Sequence, residues 1–195
     1  MKKQLILVTL VMTGALALTA CGGSKSAKNA NGKVLTIEMG PDVETIDPAL
    51  NTTNDGSNYI TYLFDNLLRV DKDGKIAPSM AEKYEVSDDG LTWTFHLRDG
   101  LKWSDGSDFT AGDFVYSWQR MVDPEVAAPY AETVLGMVEG YEDAIGNPDA
   151  NGNTTTTPDV TKLKVEAPDD KTFVVHMAKP TPYFDKLATF AALSP

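Results

Sequence analysis

Between Tyr84 and Arg120 the hydrophobic period of the chain changes from two residues to about 3.6. That change dictates a strand followed by a helix. Leu91, Trp93, Phe95 and Leu97 alternate with Thr92, Thr94 and His96, as a half-buried strand requires. Asp89-Gly90 before it and Asp99-Gly100 after it are turn dipeptides, because Gly tolerates positive φ and Asp bonds nearby backbone. A second turn, Ser104-Asp105-Gly106-Ser107, leads into the helix. Thr110 and Asp113 have the spacing of a capping box, and Asp123-Pro124 closes the run. Phe114, Trp118, Met121 and Val122 fall on one face at helical spacing.

A packed α/β element accounts for every one of these residues without any chemistry. The wording of the stretch is more specific. D-G-L-T-W-T-F-H-L-R-D-G-L-K-W-S-D-G (Asp89 to Gly106), followed by T-A-G-D-F-V-Y-S-W-Q-R (Thr110 to Arg120), resembles the segment typical of peptide-binding extracellular solute receptors. These are the periplasmic proteins or lipoproteins that feed oligopeptide ABC importers, within the peptide/nickel class of solute-binding proteins. A looser similarity runs from about Val34 to Pro195. The resemblance implies an α/β fold of α+β character, with two periplasmic-binding-protein-like lobes around a ligand cleft. It assigns 34–64 to the first strand, ligand loop and helix of the first lobe. It assigns 65–195 to most of the extra domain of peptide receptors, in a chain shorter than a whole receptor.

The N-terminus states the compartment. Lys2 and Lys3 precede an apolar run, Leu5 to Leu18, which ends in Leu18-Thr19-Ala20-Cys21. A membrane span needs about 20 apolar residues. This run is shorter and is interrupted by Thr9, Thr13 and Gly14, so residues 1–20 read as a signal peptide. The pattern resembles a bacterial lipobox, with lipid attached to Cys21 after cleavage. Two or more acyl chains there anchor stably where one is marginal. Cys21 is the single cysteine, so no disulfide framework exists and the domain must be held by its core. Residues 21–33 carry nothing apolar larger than Ala after the cysteine and form a flexible tether with a reach on the order of 20 Å. The expected location is the extracytoplasmic face of the cell membrane.

The net charge is −11, yet five of the 17 basic residues lie at or before Lys33. The remainder carries 12 basic against 28 acidic residues, a net of −16. A nucleic-acid binder needs a basic stripe, and this sequence has none.

Val34 to Met39 alternates as a first strand. Ile46-Asp47-Pro48 then begins an irregular polar loop, after which Ser57 or Asn58 caps a helix with Tyr59, Ile60, Leu63, Phe64, Leu67 and Leu68 as its apolar face. Asp73-Gly74 turns the chain. Tyr130 to Ile145 offers a longer amphipathic run, weakened as a helix by Gly136 and Gly140 at about 1 kcal/mol each. Gly146 to Pro158 is an exposed loop. Lys162 to Ala167 and Thr172 to Met177 form a hairpin, and Tyr183 to Leu193 is helical.

No catalytic constellation emerges. His96 and His176 each fall inside a strand, opposite the large apolar residues, and a metal site needs three or four clustered ligands. Asp71-x-Asp73-Gly74 matches only part of a calcium ladder and reads as a turn. Ser104 to Ser107 lacks the G-x-S-x-G of a nucleophile elbow. No metal and no cofactor is expected, and the three tryptophans belong to the core.

The ligand residues come from the resemblance. In peptide receptors the loop after an L-D-P-like motif runs along the bound peptide, and its counterpart here is Thr52, Thr53, Asn54, Asp55 and Gly56. Their identities depart from the better-known family pattern. Tyr130 matches a family tyrosine that faces the cleft; from its own setting it is equally a core residue of the amphipathic run. The implied protein is a monomer that captures oligopeptides and delivers them to ABC permease and ATPase subunits. A dipeptide, peptide pheromone, nickel or haem receptor is the nearest alternative. A secreted hydrolase or a surface adhesin is the alternative from another class.

Overall fold

The structure is a computed structural model, and it describes residues 36–195. The chain divides into a unit Met1–Glu38, described only over 36–38, and a compact unit Met39–Pro195. The expected signal peptide, Cys21 and the expected tether therefore lie outside the described residues, as do Val34 and Leu35 of the expected first strand. Its remainder, 36–39, has no strand structure. A strand is held by its partner's hydrogen bonds, and residues 36–39 take part in no strand pairing among the described residues.

Two short strands, β1 (Leu68–Val70) and β2 (Ile76–Pro78), pair around the Asp73-Gly74 turn. The Asp71 carboxylate accepts from the Asp73 and Lys75 amides at 2.8 and 2.9 Å, so that acidic triplet is the turn it was expected to be. The main sheet is antiparallel, in the order β3 (Ala81–Val86), β4 (Thr92–Leu97), β6 (Thr172–His176), β5 (Val165–Asp169). Burial alternates along β4 as its period requires, with Trp93, Phe95 and Leu97 inside. Across the register Phe95 faces Phe173 and Trp93 faces Val175, so the apolar faces of β4 and β6 coincide. His96 and His176 lie on the opposite face, each about a third exposed, with Nε2 3.7 Å from Glu85 and 3.6 Å from Glu166.

Helix α1 covers Asn54–Leu63 and helix α2 covers Ala111–Met121. The capping box of α2 forms, with the Thr110 amide donating to Asp113 Oδ2 at 2.7 Å. Ala111, Phe114, Trp118 and Met121 are buried, and α2 lies across β5 and β6. Trp118 meets Phe173 edge-on with ring centroids 4.9 Å apart, while Phe114 lies 5.4 Å from the same ring. The Trp118 indole N–H donates to the Leu193 carbonyl at 3.2 Å, which removes the cost of burying it unpaired. Phe184, from α5 (Phe184–Leu187), closes the core against Trp93 at 5.4 Å.

The run from Tyr130 to Ile145 is two short helices, α3 (Ala131–Leu135) and α4 (Tyr141–Ile145). Gly140 separates them at φ +79°, and a Cβ there would stand 2.0 Å from the Lys162 carbonyl oxygen. Close approach of another backbone therefore breaks the helix, beyond any deficit of propensity. The expected hairpin forms, but its first strand is Val165–Asp169, and Lys162, expected in that strand, closes a 3₁₀ turn, Val160–Lys162, before it. Of the helix expected over Tyr183 to Leu193 only α5 and a 3₁₀ turn, Ala191–Leu193, are present. The loop from 146 to 158 is mostly exposed, braced by the Asp149 carboxylate accepting from the Asn151 and Asn153 amides.

Candidate ligand-binding site

The segment that leads into α1 is built on Asp47. Its carboxylate faces the Arg120 guanidinium in a two-point pair, Nη1 to Oδ1 at 3.1 Å and Nη2 to Oδ2 at 2.6 Å. Oδ1 also accepts from the Ala49 amide at 3.0 Å, and the Asp47 carbonyl accepts from the Leu50 and Asn51 amides. Hydrogen bonding to Asp47 holds the Arg120 guanidinium above its ordinary pKa, so the charge on this side is permanent. Both side chains are roughly one-third exposed, which screens the attraction but leaves the fork geometry intact.

Asn51 is the second anchor and only 6% exposed. Its Nδ2 donates to the Thr53 carbonyl and to Ser57 Oγ, both at 3.0 Å. Its Oδ1 accepts from the Thr53 amide at 3.3 Å and from Thr53 Oγ1 at 3.1 Å. Every donor and acceptor direction of the amide is thus turned onto the start of α1.

This arrangement corrects the expected helix start. Thr53 is the cap, its Oγ1 accepting from the Gly56 amide at 3.0 Å, and neither Ser57 nor Asn58 fills that role. Asn54, Asp55 and Gly56 form the first helical turn and do not belong to an irregular loop. The helix ends at Leu63, so Leu67 and Leu68 are buried outside it and Leu63 is exposed. Thr52, Thr53 and Asn54 are exposed, Asp55 is half-buried and Gly56 is buried. The five expected ligand positions are therefore gathered at one helix start, and three of them reach solvent.

Tyr130 stands elsewhere on the chain, half-buried, at the cap of α3. Its ring meets Phe190 edge-on at 5.3 Å. Phe190 precedes the Ala191–Leu193 turn, against which α1 also packs. The Phe190 carbonyl accepts from Asn66 Nδ2 at 3.0 Å. Tyr130 and helix α1 thus both adjoin the stretch from Phe190 to Leu193, and no hydrogen bond links Tyr130 to residues 52–56 among the described residues.

A cavity of about 330 Å³ opens beside Asp47 and Arg120, lined also by Pro48, Trp103, Asp113 and Tyr116. Trp93 and Trp118 are buried, as expected of core residues. Trp103 departs from that expectation. It is half-buried, with one side against Phe109 at 5.0 Å and another on the cavity. Sequence reading also missed Asp47, Asn51 and Arg120 as the anchors. Asp47 was visible only as part of the Ile46-Asp47-Pro48 motif, and its partner lies 73 residues away.

Solved receptors of the periplasmic-binding-protein-like fold share this α+β scaffold over most of the chain. Residues 75–195 match the family of bacterial extracellular solute-binding proteins, family 5 Middle, and the chain belongs to that family. It is similar to the periplasmic oligopeptide-binding protein OppA of Salmonella typhimurium, with 38% identity over 197 residues, covering 100% of this chain and 34% of the relative. It is also similar to the probable deoxycholate-binding periplasmic protein YgiS of Escherichia coli, with 36% identity over 194 residues, covering 100% of this chain and 34% of that protein. Among solved structures, Haemophilus influenzae OppA in complex with RPPGFSPFR superimposes with a TM-score of 0.71 at 40% identity, over 80% of this chain and 29% of that one. The chain spans about a third of the length of these relatives.

Proposed function

We propose that the protein is a substrate-binding lipoprotein that captures oligopeptides outside the cell and delivers them to an ABC permease. The observation that carries this reading is the 40% identity, with a shared fold, to a protein solved with a peptide bound. The Lys-rich start, apolar run and Leu18-Thr19-Ala20-Cys21 support lipid attachment at Cys21 and residence on the extracytoplasmic face of the membrane. Thr52 to Gly56 and Tyr130 are the proposed ligand contacts. Bonds to a peptide's main chain, in the manner of strand addition, ignore side-chain identity and let one receptor take many sequences. Closure of two lobes about a hinge then reports occupancy to the permease. The protein acts by binding and makes or breaks no bond in its cargo.

The test uses protein extracted in detergent from its host's own membranes. Native mass spectrometry is expected to show a diacylated or triacylated Cys21 and co-purifying short peptides, and calorimetry to show uptake of RPPGFSPFR. Retention of nickel, haem or deoxycholate with no peptide overturns the ligand assignment. An unacylated cytosolic protein overturns the location.

A further inference from the structure

We propose that Asp47, Asn51 and Arg120 are positioning residues that hold the proposed ligand segment, Thr52 to Gly56, in its binding conformation before ligand arrives. The proposal rests on the peptide-receptor reading given above.

Three observations carry it. The guanidinium fork fixes Asp47 from a helix whose other face is locked in the aromatic core, so the segment is referenced to the rigid body of the domain. The Asp47 carboxylate and carbonyl then fold residues 49–51 back by accepting hydrogen bonds from their three backbone amides. Buried Asn51 passes that order forward by bonding Thr53, in the middle of the exposed residues, and Ser57 beyond them. None of the three need touch ligand to matter. Thr52, Thr53 and Asn54 are exposed, and an exposed segment without anchors would have to be ordered by the ligand, at the expense of affinity. A fork also suits this role better than a point charge, because two parallel bonds set direction as well as distance.

Hydrogen exchange on the intact chain, read residue by residue, tests the anchoring. Calorimetry with RPPGFSPFR on the membrane-extracted protein tests its consequence. Arg120→Gln and Asn51→Ala are expected to speed exchange of amides 49–57 about tenfold or more, and by clearly more than any change at the β4 and β6 amides. Peptide affinity is expected to fall about tenfold, the scale of one charge-assisted hydrogen bond. Asp47→Ala with Arg120→Gln should be no worse than the worse single variant, and Arg120→Lys, which keeps the charge without the fork, should recover only part. Wild-type exchange rates at 49–57, or unchanged affinity despite a loosened segment, overturn the proposal. So does a loss of protection at β4 and β6 equal to that at 49–57, since that is general destabilisation. A wild-type protein that takes up no peptide overturns the functional reading, while the exchange measurement still decides whether the anchors order the segment.

Discussion

Gly56→Ala separates two opposed expectations about the start of α1. Helix propensity alone makes Ala more stable than Gly by about 0.8–1 kcal/mol. The structure reverses the sign. A Cβ on residue 56 would stand 1.8 Å from Asn51 Oδ1 and 2.7 Å from Asn51 Cγ. Ordinary contact begins near 3.4 Å, so the Asn51 amide must swing away by more than an ångström. It makes four hydrogen bonds, and each contributes roughly 0.5–1.5 kcal/mol net. Because one side chain carries all four, losing the equivalent of two or three is a fair measure, about 2–3 kcal/mol. Set against the propensity gain, the net destabilisation is about 1–2 kcal/mol. At roughly 2–4 °C per kcal/mol for a chain of this size, Tm falls by about 2–8 °C. Thermal unfolding followed by tryptophan fluorescence measures it, since Trp93 and Trp118 are buried reporters of the core. The decisive control is the same substitution in an Asn51→Ala background, where the 1.8 Å clash is gone and only the Thr53 Oγ1 contact at 3.0 Å remains, so most of the Tm penalty of Gly56→Ala should disappear. A single variant as stable as the wild type, or a Gly56→Ala penalty that is undiminished in the Asn51→Ala background, would refute the reasoning.

Phe173 touches the rings of Phe95, Phe114 and Trp118, so Phe173→Ala opens a cavity at the centre of the core and should cost about 3–5 kcal/mol, read as a shift in urea midpoint at constant m. Burial, with Glu132 and Glu142 nearby, pushes the Tyr141 phenol up to about 12 from 10. The folded state therefore keeps a proton that the unfolded chain releases. This contribution is whole below pH 10 and is lost as pH rises toward 12. Unfolding free energies measured from pH 9 to 12 should fall less steeply for Tyr141→Phe than for wild type, and parallel curves would refute the assignment.

What the sequence revealed tracks where local pattern and burial coincide. In β4 and α2 the period of the apolar residues is also the period of the buried ones, so Trp93, Phe95, Phe114 and Trp118 were placed correctly. β3 went unrecognised because only Ala81 along it is buried and Glu82, Lys83 and Glu85 are exposed. It is a strand by virtue of its pairing with β4, with only the half-buried Tyr84 ring packing on Trp93 and Phe95, too little to leave a readable apolar period. The break at Gly140 had a visible signal in the glycine, but its cause, the Lys162 backbone, comes from a segment more than twenty residues on. The α1 cap was misplaced for a related reason. Thr53, Ser57 and Asn58 are all good caps by type, and Asn51 decides among them by bonding Thr53 on both backbone and side chain.

The same contrast explains how a legible core came to hold an illegible site. Helix α2 is the element most plainly written in the sequence, because one face must pack against Phe173 and Phe184. Its last turn carries Arg120 out of that core to Asp47. A pair separated by 73 residues leaves no periodic trace, and charged residues near a helix C-terminus are common for reasons of the helix dipole alone. The packing of α2 nevertheless fixes where the guanidinium can reach, and the guanidinium fixes Asp47. The helix therefore serves stability with its buried stripe and position with its end. Substitutions on the two should separate accordingly. Core changes such as Phe173→Ala should lower the unfolding midpoint, while Arg120→Gln should loosen residues 49–57 with little change in that midpoint, because a third-exposed ion pair contributes little to global stability. Equal midpoint losses for the two would mean that the pair is part of the core's cooperative unit, and the division between holding and positioning would fail.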